Sequence, residues 1–297
     1  MKDIGTVKIH CITEALSPIT HMMETAGNES IINKEKVLHN NSIKSIPVLS
    51  GNALRHKLVR ESGSFDLIEK LGLLGKLTID QANYMLYGGS LSESSITENM
   101  KNIAELKEYF PLYRLLGGSL KNQIIAGSLI VKRGILICEE NKNIINSLLP
   151  TDYKIETDLK SSEEFIKNYQ YTRSDIQKNK DAEQILKEQK DEKTNLMIYN
   201  GQCLIPGSMF LHGFVLDNVS KLEIGALFTA LNKWKNSGSV IGGYSRIGHG
   251  EVKLNLIIED TKNFIKKEDI IDCIQDYNTH IEENKENCIE WLNKNFK

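Results

Sequence analysis

Apolar and polar residues alternate from Gly5 to Leu16, with Val7, Ile9 and Cys11 on one side, which predicts a strand with one buried face. Ser17-Pro18 ends it. The polar, Asn-rich stretch His21–Ser45 then predicts a long loop or extended excursion. In Ile46–Arg60, Pro47 disfavours helix before it and Ser50 or Asn52 can cap a helix that follows. Ala53, Leu54 and Leu58 form its inner face, with Arg55, Lys57 and Arg60 more outward. Residues 65–87 read as helical, with Thr78 and Gln81 at capping-box spacing, and Thr97–Glu108 as another helix. Ile124–Val131 and Gly134–Glu139 read as a hairpin. Leu196–Leu204 and Ser208–Leu216 read as a second, joined at Ile205-Pro206-Gly207. Ser220 and Glu223 open a helix with Ile224, Leu227, Leu231 and Trp234 on one face, and Glu251–Ile258 is the final strand. Ile270, Ile271, Ile274, Ile281, Cys288 and Trp291 make the tail one or two amphipathic helices.

With the insertions set aside, the order is strand, helix, strand, strand, helix, strand. That predicts an α+β, ferredoxin-like (RRM-like) βαββαβ palm over residues 1–260, with a helical insertion at 65–110 and an amphipathic helical tail at 261–297. Residues 151–195 stand apart: twenty of the 45 are charged and none is Gly or Pro. They predict a projecting, thumb-like arm, solvated by default, with Tyr169, Tyr171 and Arg173 as candidates for stacking or phosphate contact.

Ile241-Gly-Gly-Tyr-Ser-Arg-Ile-Gly-His-Gly250 places four glycines between a helix and a strand. Dinucleotide and P-loop fingerprints have the reverse order, strand then glycines then helix, and no Gly-Lys-Ser/Thr is present, so nucleotide hydrolysis is not expected. Gly-x-Ser-x-Gly is missing too. His249 has no Asp near it in sequence, so it reads better as a backbone or phosphate partner than as a base. Gly88-Gly89-Ser90 and Gly117-Gly118-Ser119 recur once, 29 residues apart, which does not make a repeat.

Charge sharpens this. The chain carries −2 overall, but residues 259–297 hold ten acidic and six basic residues, a net of −4, which leaves +2 on residues 1–258. Segment 44–60 has Lys44, Arg55, Lys57 and Arg60 without an acid, and 111–137 has Arg114, Lys121, Lys132 and Arg133 without one. An anionic partner responds to such patches rather than to the total, although solvated faces are the simpler reading of charge alone. Five dispersed cysteines read as free thiols, and no Cys or His pairs stand at zinc spacing, so no metal or cofactor is expected. No apolar run reaches membrane-span length and the N-terminus has no signal-like core, which predicts a cytoplasmic protein with no membrane partner.

Gly242-Gly243-Tyr-Ser-Arg-Ile-Gly248-His-Gly250, following an amphipathic helix, resembles the glycine-rich C-terminal motif of the RAMP superfamily of CRISPR proteins. Ile46-Pro-Val-Leu-Ser-Gly-Asn-Ala-Leu-Arg-His-Lys-Leu58 is similar to that superfamily's entry into its first helix. Pro111-Leu-Tyr-Arg-Leu-Leu-Gly-Gly-Ser-Leu-Lys-Asn122 and Tyr171-Thr-Arg-Ser-Asp175 resemble its type IV backbone subunit. The resemblance covers most of the chain and is weakest after about residue 260.

It implies a non-catalytic subunit of an antiviral ribonucleoprotein. Such a subunit polymerises with copies of itself along a guide RNA (crRNA), beside other CRISPR effector subunits, and holds target nucleic acid paired to the guide. By this resemblance Ser50, Asn52, Arg55, Gly117, Gly118, Gly242, Gly243, Ser245 and Arg246 contact the RNA backbone. Lys57, Arg60, Tyr171, Arg173 and His249 complete the candidate RNA-binding set. Contacts to phosphate and 2′-OH suit a guide of variable sequence. Glu251–Ile258 has no Phe or Tyr, which argues against base stacking on the palm.

Type III relatives cut target RNA with an Asp after the first strand; residues 17–46 hold Glu24, Glu29 and Glu35 but no Asp, so cleavage is not expected. The alternatives are a RAMP-family endoribonuclease processing precursor guide RNA, with His21 or His39 as base, a target-RNA-cleaving backbone subunit, and a protein-only scaffold.

Overall fold

The computed structural model describes residues 4–26, 29–89, 100–120, 123–150, 153, 155, 158–173, 197–260 and 264–296. Its largest sheet has six strands in the order β12-β1-β11-β8-β5-β4, built from β1 (Gly5–Ala15), β4 (Lys34–His39), β5 (Ser42–Leu49), β8 (Leu129–Leu136), β11 (Met209–Val219) and β12 (Val252–Asp260). The four strands β12-β1-β11-β8 are antiparallel throughout. This is the expected ferredoxin-like βαββαβ palm. The alternation in β1 is the cause of its placement: Val7, Ile9 and Cys11 are buried against the helices, and Ile12 joins a separate apolar cluster on the other side.

Three expectations from the pattern are corrected. His21–Ser45 is not a loop but carries β2 (Met22–Ala26), β3 (Glu29–Ile32), β4 and the start of β5. Asn40 and Asn41, both at positive φ, make the two-residue turn between β4 and β5, so the Asn content marked a hairpin. Second, Leu129–Leu136 is one continuous strand. Gly134 lies inside it opposite Leu49, where a Cβ would meet the Leu49 side chain at 3.0 Å, so the glycine permits strand contact rather than a turn. Gln123–Ile125 (β7) pairs instead with Gly118–Leu120 (β6). Third, the turn at Ile205–Ser208 is present, but it joins strands of different sheets. Met197–Leu204 (β10) belongs to a second sheet of order β2-β3-β10-β9, in which β9 is Ile166–Arg173.

The described part of the 151–195 segment thus ends in β9, in register with β10 from Ile166↔Leu204 to Arg173↔Met197. Residues 174–196, Lys121, Ser90 and Thr97 lie outside the described residues.

The helical layer begins with α1 (Gly51–Leu54), which runs without a break through a π-helical stretch, Arg55–Glu61, into α2 (Ser62–Leu71). It continues with α3 (Ile79–Tyr87), α4 (Met100–Tyr109) and α5 (Pro111–Leu116). The Thr78–Gln81 capping box forms. After β8, α6 (Lys142–Leu148) packs on the opposite face of the palm. α7 (Lys221–Asn236) crosses the palm, opened by Glu223, whose carboxylate accepts from the Ser220 N–H at 2.8 Å and pairs with Arg114 at 3.1 Å.

The tail forms α8 (Asp269–Glu283) and α9 (Lys285–Asn295), and its Cys273, Tyr277, Ile281, Cys288 and Trp291 lie in the main core. Trp291 packs on Tyr84 and Phe110 and donates to the Asn102 carbonyl at 3.0 Å, satisfying its one polar atom. No helix among the described residues is long and apolar enough to cross a membrane.

Candidate nucleic-acid interface

Four consecutive residues, Pro18–His21, hold the candidate site together. Ile19 exchanges two backbone hydrogen bonds with Leu204 of β10, at 3.0 and 2.8 Å. The Thr20 carbonyl accepts from Gly243 N at 2.7 Å, and the Pro18 carbonyl from Gly250 N at 2.8 Å. His21 accepts at Nε2 from the Ser50 N–H at 3.0 Å, while its carbonyl accepts from Asn33 N at 2.8 Å. The glycine loop, the second sheet and the start of the first helix therefore meet on one segment of chain.

A backbone N–H can only donate, so His21 Nε2 must carry a lone pair and the ring is neutral. Burial lowers its pKa in the same direction. His39 is similarly occupied: Nδ1 donates to the Glu140 carbonyl at 3.0 Å and Nε2 accepts from Asn40 at 3.0 Å. Ser50 caps the first helix through the Ala53 N–H at 3.1 Å, and Asn52 lies exposed in the first turn.

The glycines of Ile241–Gly250 have different reasons. Gly242 has φ +76° and a Cβ there would lie 2.4 Å from the Thr20 carbonyl oxygen; Gly250 has φ +91° and would meet the Ile241 oxygen at 2.1 Å. Both let the loop close onto its neighbours. Gly248 has φ +89° but open space around it, and Gly243 has only ordinary contacts. Between them, Ser245 and Arg246 are exposed on a single 3₁₀ turn, and Arg246 makes no ion pair among the described residues.

Tyr244, at φ +59°, is the loop's anchor. Such a conformation is uncommon for a bulky residue and is held here by packing. Its ring meets Tyr169 and Tyr171 edge-on at 5.8 and 6.0 Å, and those two form a parallel stack that continues to Tyr199 at 4.9 Å. Hydrogen bonding with Ser30, then with Tyr169 and Tyr171, holds the Tyr244 phenol below its ordinary pKa, whereas burial first, and Tyr244 second, push Tyr169 up. His249 completes the group, 5.5 Å from Tyr169, with Nδ1 2.7 Å from the Thr20 hydroxyl; burial lowers its pKa. Thr20, Tyr199 and Tyr244 were not singled out from the sequence. The signal lay in alternation, since Tyr169, Tyr171 and Tyr199 share one face once β9 and β10 pair.

The arginines of the first helix correct an expectation. Arg60 does not face outward; it is buried, 5% exposed, and donates through Nη2 to the Gly117 carbonyl at 2.8 Å. Arg55, half-buried, donates to the Leu116 carbonyl. In an α-helix residues five apart differ by about 140° in direction, but in a π-turn they lie one above the other, so both guanidiniums reach the C-terminal carbonyls of α5. Arg55 Nε and Arg60 Nη1 stay buried without an acceptor among the described residues. Burial lowers both pKa values, and Arg55 lowers that of Arg60 further.

Gly117, at φ +66°, leaves no room for a side chain, a Cβ falling 2.3 Å from the Ile125 oxygen. Gly118 and Gly88 touch, because Ser119 N donates to the Gly88 carbonyl at 2.7 Å, so the two Gly-Gly turns form one structure. Lys57 pairs with Glu61 at 2.7 Å. The candidate residues thus fall in two groups: Gly242, Gly243, His249 and Tyr171 around Thr20, joined to Ser50 through His21, and Arg55, Arg60, Gly117 and Gly118 at the end of α5. Arg173 ends β9, and its side chain lies outside the described part.

No family model and no curated protein matches the chain in sequence. In structure it is similar to a chain of a solved type IV-B CRISPR complex, with a TM-score of 0.60 and 18% identity over 84% of this chain and 90% of that one. The shared feature at that identity is the fold, an α+β palm.

Proposed function

We propose that the chain is a guide-RNA-binding backbone subunit of a type IV-like CRISPR effector, polymerising along the spacer and cutting nothing itself. The observation that carries this reading is the convergence at Pro18–His21, which brings the glycine loop, the helix entry and the tyrosine face of the second sheet to one place. Exposed Arg246 and Ser245 border it, and they offer a charge and a hydroxyl to an RNA backbone. The likeness to a chain of a type IV-B CRISPR complex supports the same assignment.

The endoribonuclease reading needs a histidine with a free lone pair on His21 or His39, and the acceptor nitrogens of both are already engaged within the fold. The arginines at the end of α5 fit a polyanion in another way. Arg55 and Arg60 bring two positive charges with no carboxylate partner among the described residues, a charge that a phosphate bound nearby would balance.

Purification at low salt, with nucleic-acid content and RNA length recorded, tests the reading. Bound RNA in regular length increments is expected. Protein free of RNA, or defined cleavage of a repeat-containing precursor by the isolated chain, would overturn it.

A further inference from the structure

The palm has a second face, and α6 covers only part of it. Alternation in β1 turns Lys8, His10 and Ile12 to this side. Ile12 is buried with Ile137, Ile145, Leu149 and Leu211 beneath α6 and the chain that follows it. Beyond this cluster a cleft of about 850 Å³ opens, with Lys8, His10, Lys132 and Glu259 on the sheet and Asn146–Pro150 and Tyr153 as its wall. An adjoining recess of about 300 Å³ shares His10, Lys132 and Leu148 and is lined further by Ile135, Leu211, His212 and Arg133, whose charge is paired with Glu35. Together they have the size and the apolar-plus-polar lining of a small-molecule site.

The polar groups are organised. Glu259 accepts from His10 Nε2 at 2.7 Å and lies 3.6 Å from Lys8 Nζ. A carboxylate at neutral pH only accepts, so the proton of this bond sits on His10 Nε2. The bond from His10 is also the main reason the Glu259 pKa is lowered, so the carboxylate stays charged. Across the sheet the row runs His10, Gly213, Lys132. The missing side chain at Gly213 lets residues two strands apart line one cleft. Lys132 is exposed and makes no ion pair among the described residues. Lys8 and Lys132 against Glu259 leave one net positive charge at this end.

We propose that this cleft binds a nucleoside monophosphate. The recess with Ile135, Leu148 and Leu211 takes the base, Lys8 and Lys132 take the phosphate, and the Glu259 carboxylate, held by His10, accepts from the ribose hydroxyls. A free inorganic anion would use only the lysines, and an uncharged aromatic only the recess. The nucleotide uses all three. The cleft is separate from the guide interface: His10 lies seven residues before Ser17, roughly 20 Å along an extended strand, and faces the other side of the palm from the helix entry.

Calorimetric titration of the full chain with adenosine 5′-monophosphate and uridine 5′-monophosphate tests it, with adenosine and inorganic phosphate as separate arms. One saturable site for at least one nucleotide is expected, with both controls weaker by about tenfold or more. Lys132→Glu should reduce affinity by at least about tenfold while leaving the unfolding midpoint unchanged, since its side chain is exposed. Arg246→Glu should leave nucleotide binding intact, which separates this cleft from the guide-RNA reading. Absence of saturable nucleotide binding, phosphate binding as tightly as the nucleotides, or indifference to Lys132→Glu would each overturn the proposal.

Discussion

Arg60 donates to the Gly117 carbonyl from inside the protein, at 2.8 Å, with Arg55 on the preceding carbonyl. A guanidinium in that position secures the end of α5 and the paired Gly-Gly turns more than it presents charge to solvent. Arg60→Ala removes a charge-assisted hydrogen bond and leaves a buried carbonyl and a cavity, an expected loss of about 2–4 kcal/mol. Urea unfolding of parent and variant measures it. A midpoint that does not move would mean that the clamp carries no stability.

Arg246 is the contrasting case, exposed on its 3₁₀ turn. Arg246→Glu should leave stability within about 0.5 kcal/mol. RNA binding should weaken by a similar factor for every guide sequence, with the slope of log affinity against log salt reduced by about one or more. Filter binding over a salt series, with two unrelated guides, checks it. A loss confined to one guide would point to base reading instead.

The glycines of the loop should not be equal. Gly250→Ala and Gly242→Ala combine positive φ with a Cβ less than 2.5 Å from a backbone oxygen, so the loop has to move off Pro18 or Thr20. Gly248→Ala has the strained φ but open space, with an expected cost of only about 1 kcal/mol. Thermal unfolding should rank Gly248→Ala as mildest, and RNA binding should fall furthest for Gly242→Ala and Gly250→Ala. Equal effects at all three would show that φ alone matters.

The palm was legible in the sequence because each of its strands buries one face: the alternation of Val7, Ile9 and Cys11 and the Ser220–Glu223 box both point to elements that form. The second sheet was not. Its β2 and β3 are only five and four residues long, and β3 gains its place by pairing in parallel with β10, some 170 residues away, a relation local pattern does not carry. A hairpin was expected with its turn just before Gly134 and another at Ile205-Pro206-Gly207, whereas one continuous strand and a change of sheet use the same residues. The arginines show a subtler limit. A helical wheel with an α period turns Arg60 outward, and the π-turn at Arg55–Glu61 reverses its direction. The Gly242-to-Gly250 motif was recognisable, but its partner at Thr20 became visible only once the chain folded.

The last prediction concerns acid. His212 is fully enclosed, with Nε2 2.8 Å from the Thr13 hydroxyl, and burial pushes its pKa down to about 3. Its unfolded value is near 6.5, so between these limits the unfolded chain binds the proton first. Stability from this group is therefore complete above about pH 6.5 and is lost as pH falls toward 3, at up to about 1.4 kcal/mol per pH unit. Burial lowers His21 and His249 in the same direction, so they add to the same acid limb. His212→Gln keeps an amide for the Thr13 hydroxyl but cannot take the proton. It should lower stability at pH 7 and flatten the dependence between pH 6 and 4 by close to one proton, about 1.4 kcal/mol per unit. Urea midpoints at half-unit pH steps for parent and variant give the two slopes. Parallel slopes would mean that His212 does not titrate differently in the folded and unfolded chain, and the acid limb would then belong to the other groups.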